Sequence, residues 1–257
     1  MHYHHGHLDY PIFAFAQHYA HGCTEPFHQH DRIQLLHSLS GAIHVQTRQG
    51  IWVIPPNKGV WIPAQTEHCI KIYGQVEAHG VFIDPYARAD LANHCQVVAI
   101  SPLLSELINS ALSIQHAVQA HSRDERLLQL ILDEVRFLEQ LPFQLPEAKS
   151  ATLQNICLYL SQNLGQNISL EQLAQQFHLS SKTISRYFLR EMQMSFGHWQ
   201  RQAKLLHALT ALSLNTPILT IALDLGYDSP SAFSYMFKRE MGCTPSQYLK
   251  TAPTIDA

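Results

Sequence analysis

Between residues 11 and 100 the apolar positions come in short runs: Ile33–Leu39, Ala42–Thr47, Ile51–Ile54, Val60–Ile62, His68–Tyr73 and Val76–Ile83. Turn formers separate them, at Ser40-Gly41, Gln49-Gly50, Pro55-Pro56-Asn57-Lys58-Gly59 and Tyr73-Gly74. Short apolar runs bounded by Gly, Pro and Asn are the strand pattern. Many of them at close spacing predict a small β-barrel or sandwich over residues 1–100. After Ser101-Pro102 the spacing turns helical, through Leu103, Leu104, Leu107, Ile108 and Leu112, then Leu127, Leu128, Ile131, Leu132, Val135 and Leu138. Residues 101–146 are thus expected to be a helical connector. It ends in Leu141-Pro-Phe-Gln-Leu-Pro146, whose two prolines predict an interdomain linker. The connector helices either offer a dimer surface or pack only on the barrel.

Residues 147–257 carry helical spacing almost throughout, and one pattern occurs twice. In the first copy Leu170, Leu173 and Ala174 line one helix, Phe177-His178-Leu179 turns, and Ser180 or Ser181 caps a second helix whose inner face is Ile184, Tyr187 and Phe188. Ser169 suits the cap of the first helix. In the second copy Ile221 and Ala222 match Leu173 and Ala174, and Gly226 takes the turn, where positive φ is cheap for glycine. Asp228 or Ser229 caps the next helix, Pro230 opens it, and Phe233, Met236 and Phe237 face inward. Each copy is a helix-turn-helix. The second helix of such a unit enters the DNA major groove and reads bases with outward residues near its N-terminal end. Those residues are Ser181, Lys182, Thr183, Ser185 and Arg186 in the first copy, and Ser231, Ser234, Tyr235 and Lys238 in the second. Between the copies, Phe196 to Leu212 reads as one helix of 17 residues, roughly 25 Å long. With its flanking turns it can set the two recognition helices about one DNA turn apart, roughly 34 Å.

Charge adds modest support. The net charge is −3, but residues 1–149 hold 9 Lys+Arg against 14 Asp+Glu, and residues 150–257 hold 8 against 6. The basic excess falls on the half with the repeated motif. Five scattered cysteines with no C-x-x-C exclude a zinc ribbon and a disulfide framework. No apolar run reaches membrane-spanning length and no signal-peptide core is present, so a cytoplasmic protein without membrane partners is expected.

The C-terminal half closely resembles the AraC/XylS family of bacterial transcription regulators. The resemblance rests on I-S-L-E-Q-L-A-x-x-F-x-L-S, S-R-x-F, S-F-G-x-W-x-R-x-x-K-L-x-x-A and I-x-x-I-A-L-D-L-G-Y-D-S-P-S-A-F-S-Y-M-F-K-R-E-M-G-C-T-P-S-Q-Y, over roughly residues 152–250. It implies seven helices and base contacts from both recognition helices. Lys182, Ser185 and Arg186 then fall at base-reading positions, with Ser231, Ala232 and Tyr235 as the second set. Many members carry a basic residue where this sequence has Tyr235. Arg201 matches an arginine usual early in the connecting helix, and serves either an ion pair or a phosphate contact.

The chain has 18 histidines, and one group of them is patterned. His28 and His30 alternate, so on a strand they point to one face, and His68 arrives from a later strand. Converging imidazoles of this kind suit a transition metal. The spacing resembles the double motif of cupins, with Gln34 where a glutamate ligand is usual and Gln65 where glycine is usual. Two readings follow. In one, His28, His30 and His68 hold a divalent metal (zinc, nickel, manganese or iron) with Gln34 as a weak ligand or supporting donor. In the other, the barrel binds a small organic effector. His2, His4, His5 and His7 read as a mobile tail, and His37 and His44 as ordinary strand residues. Trp52, Trp61, Tyr73 and Phe82 are expected in the barrel core, with Trp61 also placed to border a ligand.

The expected protein is therefore of mixed class: a cupin-like β-barrel sensor joined to an all-α domain with two helix-turn-helix units. Its function is sequence-specific binding of double-stranded operator DNA as an activator or repressor, without catalysis, under control of a small-molecule or metal effector. A homodimer and RNA polymerase are the further partners considered. The alternative is a metal-binding cupin enzyme fused to a DNA-binding domain.

Overall fold

The structure is a computed structural model that describes residues 10–251. The His2, His4, His5 and His7 tail lies outside the described residues. Two compact units are present: the residues up to Val45 together with Ile54–Pro142, and Gln46–Val53 together with the residues from Phe143 on.

Among the described residues the N-terminal half holds nine strands: β1 (Ile12–Tyr19), β2 (Thr24–His28), β3 (Ile33–Ser38), β4 (Ala42–Thr47), β5 (Gly50–Ile54), β6 (Lys58–Ile62), β7 (His68–Tyr73), β8 (Val76–Ile83) and β9 (Gln96–Ala99). Two short strands follow, β10 (Gln140–Leu141) and β11 (Gln144–Pro146). They form one sheet in the order β1-β8-β3-β6-β9-β10 and another in the order β11-β5-β4-β7-β2. Two antiparallel sheets make a sandwich, the second of the two forms that the short strands predict. Strand β3 lies between β8 and β6, with Leu35 opposite both Val81 and Trp61. Alternation then gives it two working faces. Ile33 and Leu35 join Ile12, Trp61, Val81 and Ile83 in a core with α1 (Pro102–Ala111) and α2 (Arg123–Glu134), while Gln34 points to the other side. Trp61 belongs to this core: it is 1% exposed and its indole N–H donates to the Ala92 carbonyl at 2.8 Å.

Both connector helices begin as their sequences dictate. Ser101 and Ser122 accept bonds from the Leu104 and Glu125 backbone N–H groups, satisfying donors that the first turn leaves orphaned. The proline-rich stretch expected as a linker is hydrogen-bonded on both sides of its own break. Gln140 and Leu141 pair with Val98 and Val97, whereas Gln144–Pro146 pair with Trp52, Ile51 and Gly50. Both are edge strands, where proline's missing N–H does no harm.

The second unit contains seven helices among the described residues: α3 (Ala151–Gln162), α4 (Leu170–Gln176), α5 (Ser181–Met192), α6 (Phe196–Ser213), α7 (Ile218–Asp224), α8 (Pro230–Met241) and α9 (Pro245–Thr251). Helix α6 is buried over most of its surface, through Trp199, Ala203, Leu205, Leu206, Ala208, Leu209 and Leu212. A helix apolar on so many sides is the centre of a domain rather than its skin. Against its first half pack Leu153, Ile156, Leu173, Ile184 and Phe188. Burying one side chain of this size contributes roughly 1.5–3 kcal/mol.

Candidate nucleic-acid interface and histidine cluster

The two repeated units are built alike down to single backbone bonds. In the first, Phe177 ends α4, His178 takes φ 52, and the Leu179 N–H donates to the Ala174 carbonyl at 2.9 Å. In the second, Leu225 ends α7, Gly226 takes φ 74, and the Tyr227 N–H donates to the Ala222 carbonyl at 2.9 Å. Each recognition helix is capped by a serine, Ser180 for α5 and Ser229 for α8. Each ends at a left-handed residue, Gln193 and Gly242 respectively. The buried faces match as well: Ile184 and Phe188 in α5 correspond to Phe233 and Phe237 in α8, all fully buried.

Counting from the caps, Lys182 corresponds to Ser231, Thr183 to Ala232, Ser185 to Ser234 and Arg186 to Tyr235. Lys182 and Arg186 are exposed one turn apart on α5, and neither is ion-paired among the described residues. Such cations are free to meet phosphates or a guanine edge. Ser181 and Ser185 are half-buried beside them, and the Thr183 hydroxyl lies 2.8 Å from that of Ser180, so it is committed to the cap. On α8, Ser231 and Ala232 are exposed, Tyr235 is 73% exposed, Ser234 is half-buried, and Lys238 is exposed in the last turn. Arg201 of α6 pairs with Glu240 of α8 at 3.6 Å.

Reading the sequence missed the parts that hold these helices in place. Lys204 is buried in α6, donates to the Leu225 carbonyl at 2.8 Å and stands 5.0 Å from the Tyr227 ring centroid. Burial pushes its ammonium pKa below the ordinary lysine value. It thereby ties the turn of the second unit to the connecting helix. Glu191, near the end of α5, accepts from the Lys149 and Ser150 backbone N–H groups at 3.0 and 2.8 Å, fixing the start of α3. No periodicity marks either contact, because each depends on a backbone group far away in sequence. Gly226 meets the Gly165 carbonyl so closely that a Cβ there would overlap it.

In the sandwich, His28, His30 and His68 come together. Ring centroids are 4.3 Å apart for His28 and His68, 5.2 Å for His30 and His68, and 6.2 Å for His28 and His30. Every Nδ1 is turned to a backbone carbonyl: His28 to Pro26 at 2.8 Å, His30 to Arg32 at 2.6 Å and His68 to Thr66 at 2.7 Å. A proton held on Nδ1 leaves a lone pair on each Nε2. Burial lowers the His30 pKa and takes that of His68 to about 4, so both rings are neutral at neutral pH. The His68 Nε2 is buried with no hydrogen-bond partner. The His30 Nε2 lies 3.1 Å from the Gln34 side-chain amide, which serves this unprotonated nitrogen only by turning its N–H toward it. Gln65 adopts φ 59, and its N–H donates to the His30 carbonyl at 2.8 Å, so it holds the loop before His68 against the loop that delivers His30. His28 ends β2 and His30 lies beyond it, before β3, so the two do not alternate on one strand as their spacing predicts: the β2–β3 loop path, not strand alternation, brings His30 to the cluster. Among the described residues, no three His, Cys, Asp or Glu side chains stand ready-arranged around a metal position.

Two serine-capped helix-turn-helix units around one buried helix, each with an exposed recognition face, define a DNA-binding protein. A helix-turn-helix domain model matches residues 173–251. The chain is 32% identical over 232 residues to the HTH-type transcriptional regulator NimR of Escherichia coli (strain K12), covering 90% of this chain and 85% of that one. It is 33% identical over 99 residues to the regulatory protein SoxS of Salmonella typhimurium, 37% of this chain and 91% of that one. Among solved structures it resembles the C-terminal domain of AraT, a response regulator from Geobacillus stearothermophilus, at 30% identity and TM-score 0.40, over 43% of this chain and 92% of that one. The chain belongs to the AraC/XylS family of helix-turn-helix transcription regulators. These relatives are regulators, not enzymes. No helix among the described residues is long and apolar enough to cross a membrane.

Proposed function

We propose that this regulator binds operator DNA under the control of a ligand held by His28, His30, His68 and Gln34. The observation that carries the reading is the arrangement of the three imidazoles. All three Nδ1 atoms are anchored to carbonyls, and one Nε2 is buried without a partner. A bare acceptor in a buried site costs about 1–3 kcal/mol, which a bound electron-pair acceptor recovers. A divalent metal such as zinc, nickel, manganese or iron fits three imidazoles and an amide oxygen, and anchored Nδ1 atoms are what imidazole ligands of metals use. Gln34 contributes no charge, which favours a nitrogen-preferring metal over a hard one. A second reading, an organic effector with N–H or O–H donors, is favoured by the lack of a ready-arranged ligand set.

The test is the metal content of tag-free protein beside a His28→Ala/His30→Ala variant. Near-stoichiometric metal that disappears in the variant is the expected result. No metal in either protein, after supply of zinc, nickel, manganese and iron, overturns the metal reading in favour of the organic effector. The working unit in this proposal is a homodimer, supported by exposed Leu103, Leu130 and Phe137 on and after the connector helices. RNA polymerase is its partner where it activates. Sedimentation of the full chain as a monomer at micromolar concentration contradicts the dimer.

A further inference from the structure

The two recognition helices occupy equivalent places and present opposite chemistries. On α5 the outward pair is Lys182 and Arg186; on α8 it is Ser231 and Tyr235, with Ala232 beside them. Tyr235 is 73% exposed in the first half of α8, and Ala232 lies one turn before it on the same face. An aromatic ring so exposed at the middle of a helix adds nothing to the core, which Phe233 and Phe237 already fill from the other face. The basic residues of α8 come late, at Lys238 and Arg239, and Arg239 is held by Glu240 at 2.9 Å. The base-facing part of α8 therefore lacks a fork of donors for guanine O6 and N7, and lacks a carboxylate for cytosine N4. What it presents is a methyl group, an aromatic ring and small hydroxyls. In the major groove one base offers an apolar contact, thymine through its C5-methyl.

We propose that α8 reads the C5-methyl group of thymine through Ala232 and Tyr235, while α5 reads its own half of the site through Lys182 and Arg186. The inference rests on the DNA-binding function of the family and adds the base chemistry of the second helix. The operator is then asymmetric within one subunit's footprint, with a thymine at the step facing α8. Ser231 adjusts to either hydroxyl role there and carries no preference of its own.

The test begins with selection of duplexes from a random pool by the full-length protein. Repeating the selection with Arg186→Ala identifies the positions read by α5, and the remaining enriched positions belong to α8. Thymine there is then replaced by deoxyuridine, which removes only the methyl. The expected result is about fourfold weaker binding per methyl lost. The Tyr235→Ala variant binds the two duplexes equally, and Tyr235→Arg shifts the preferred base at that position toward guanine. Tyr235 is exposed, so melting temperatures of both variants stay at the parent value and loss of fold does not confuse the readout. Enrichment of G·C pairs facing α8, or equal affinity of the parent protein for thymine and deoxyuridine, overturns the proposal while leaving DNA binding intact. A pool that yields no enriched sequence instead overturns the sequence-specific binding on which the proposal rests.

Discussion

Helices α5 and α8 are two answers to one structural problem. Their caps, buried faces, left-handed ends and preceding turns agree, yet the left-handed turn residue is His178 in one unit and Gly226 in the other. Positive φ alone does not require glycine, since His178 adopts it with its side chain in solvent. Close packing does: the Gly226 backbone lies against the Gly165 carbonyl, and Gly165 itself has the Asp224 carbonyl 2.6 Å from where a Cβ would stand. The second unit is thus locked to the chain ahead of α4, and Lys204 ties the same turn to α6. The comparison separates what a helix-turn-helix needs from what a particular copy adds. The scaffold is shared, while the locking residues and the reading face differ.

The largest expected effect breaks the scaffold where the copies differ. Gly226→Ala should cost about 3 kcal/mol or more, from strain at positive φ together with the clash on Gly165. His178→Gly should stay within about 1 kcal/mol of the parent. Urea denaturation of the two variants checks the contrast, and equal losses contradict it. Lys204→Met is next. It removes the donor to the Leu225 carbonyl and keeps the buried stem, so a loss of about 1–3 kcal/mol is expected in the same assay. Arg186→Ala addresses the reading face instead: about 1–3 kcal/mol less binding to the selected duplex, with little change on random DNA. Equal loss on both duplexes makes Arg186 a phosphate contact. The smallest effect belongs to Arg201→Ala. Its pair with Glu240 is partly solvated, and thermal stability should fall by less than about 1 kcal/mol. A steep drop in DNA affinity with unchanged stability assigns Arg201 to a phosphate instead.

The fold was legible where a local rule decides it. Strands β4, β7 and β8 run over the residues that the apolar spacing marks, and the serine caps of α4, α5 and α8 stand at sequence positions that announce them. Strands β2, β10 and β11 were less legible, and all three are at sheet edges with a proline in them or beside them. Proline weakens the sequence signal for a strand, and only a partner chosen elsewhere in the chain makes the strand form. The histidine cluster shows the same division. The spacing predicts His28 and His30 on one face of a strand, but His30 lies in the loop after β2, and its arrival at the cluster, the carbonyl that holds each Nδ1 and the bare His68 Nε2 all depend on loop paths that no pattern encodes. Lys204 was illegible for the same reason: a lysine on a helical repeat reads as solvated until its carbonyl partner is known.

With two equivalent recognition helices, one subunit is expected to read DNA along one face of the duplex. Hydroxyl-radical footprinting on the selected duplex tests it most directly. Two protected patches about 10 base pairs apart per subunit are expected, with the patch facing α5 weakened in Arg186→Ala and the other weakened in Tyr235→Ala. A single patch per subunit, insensitive to Tyr235→Ala, contradicts the claim and leaves α5 as the only reading helix.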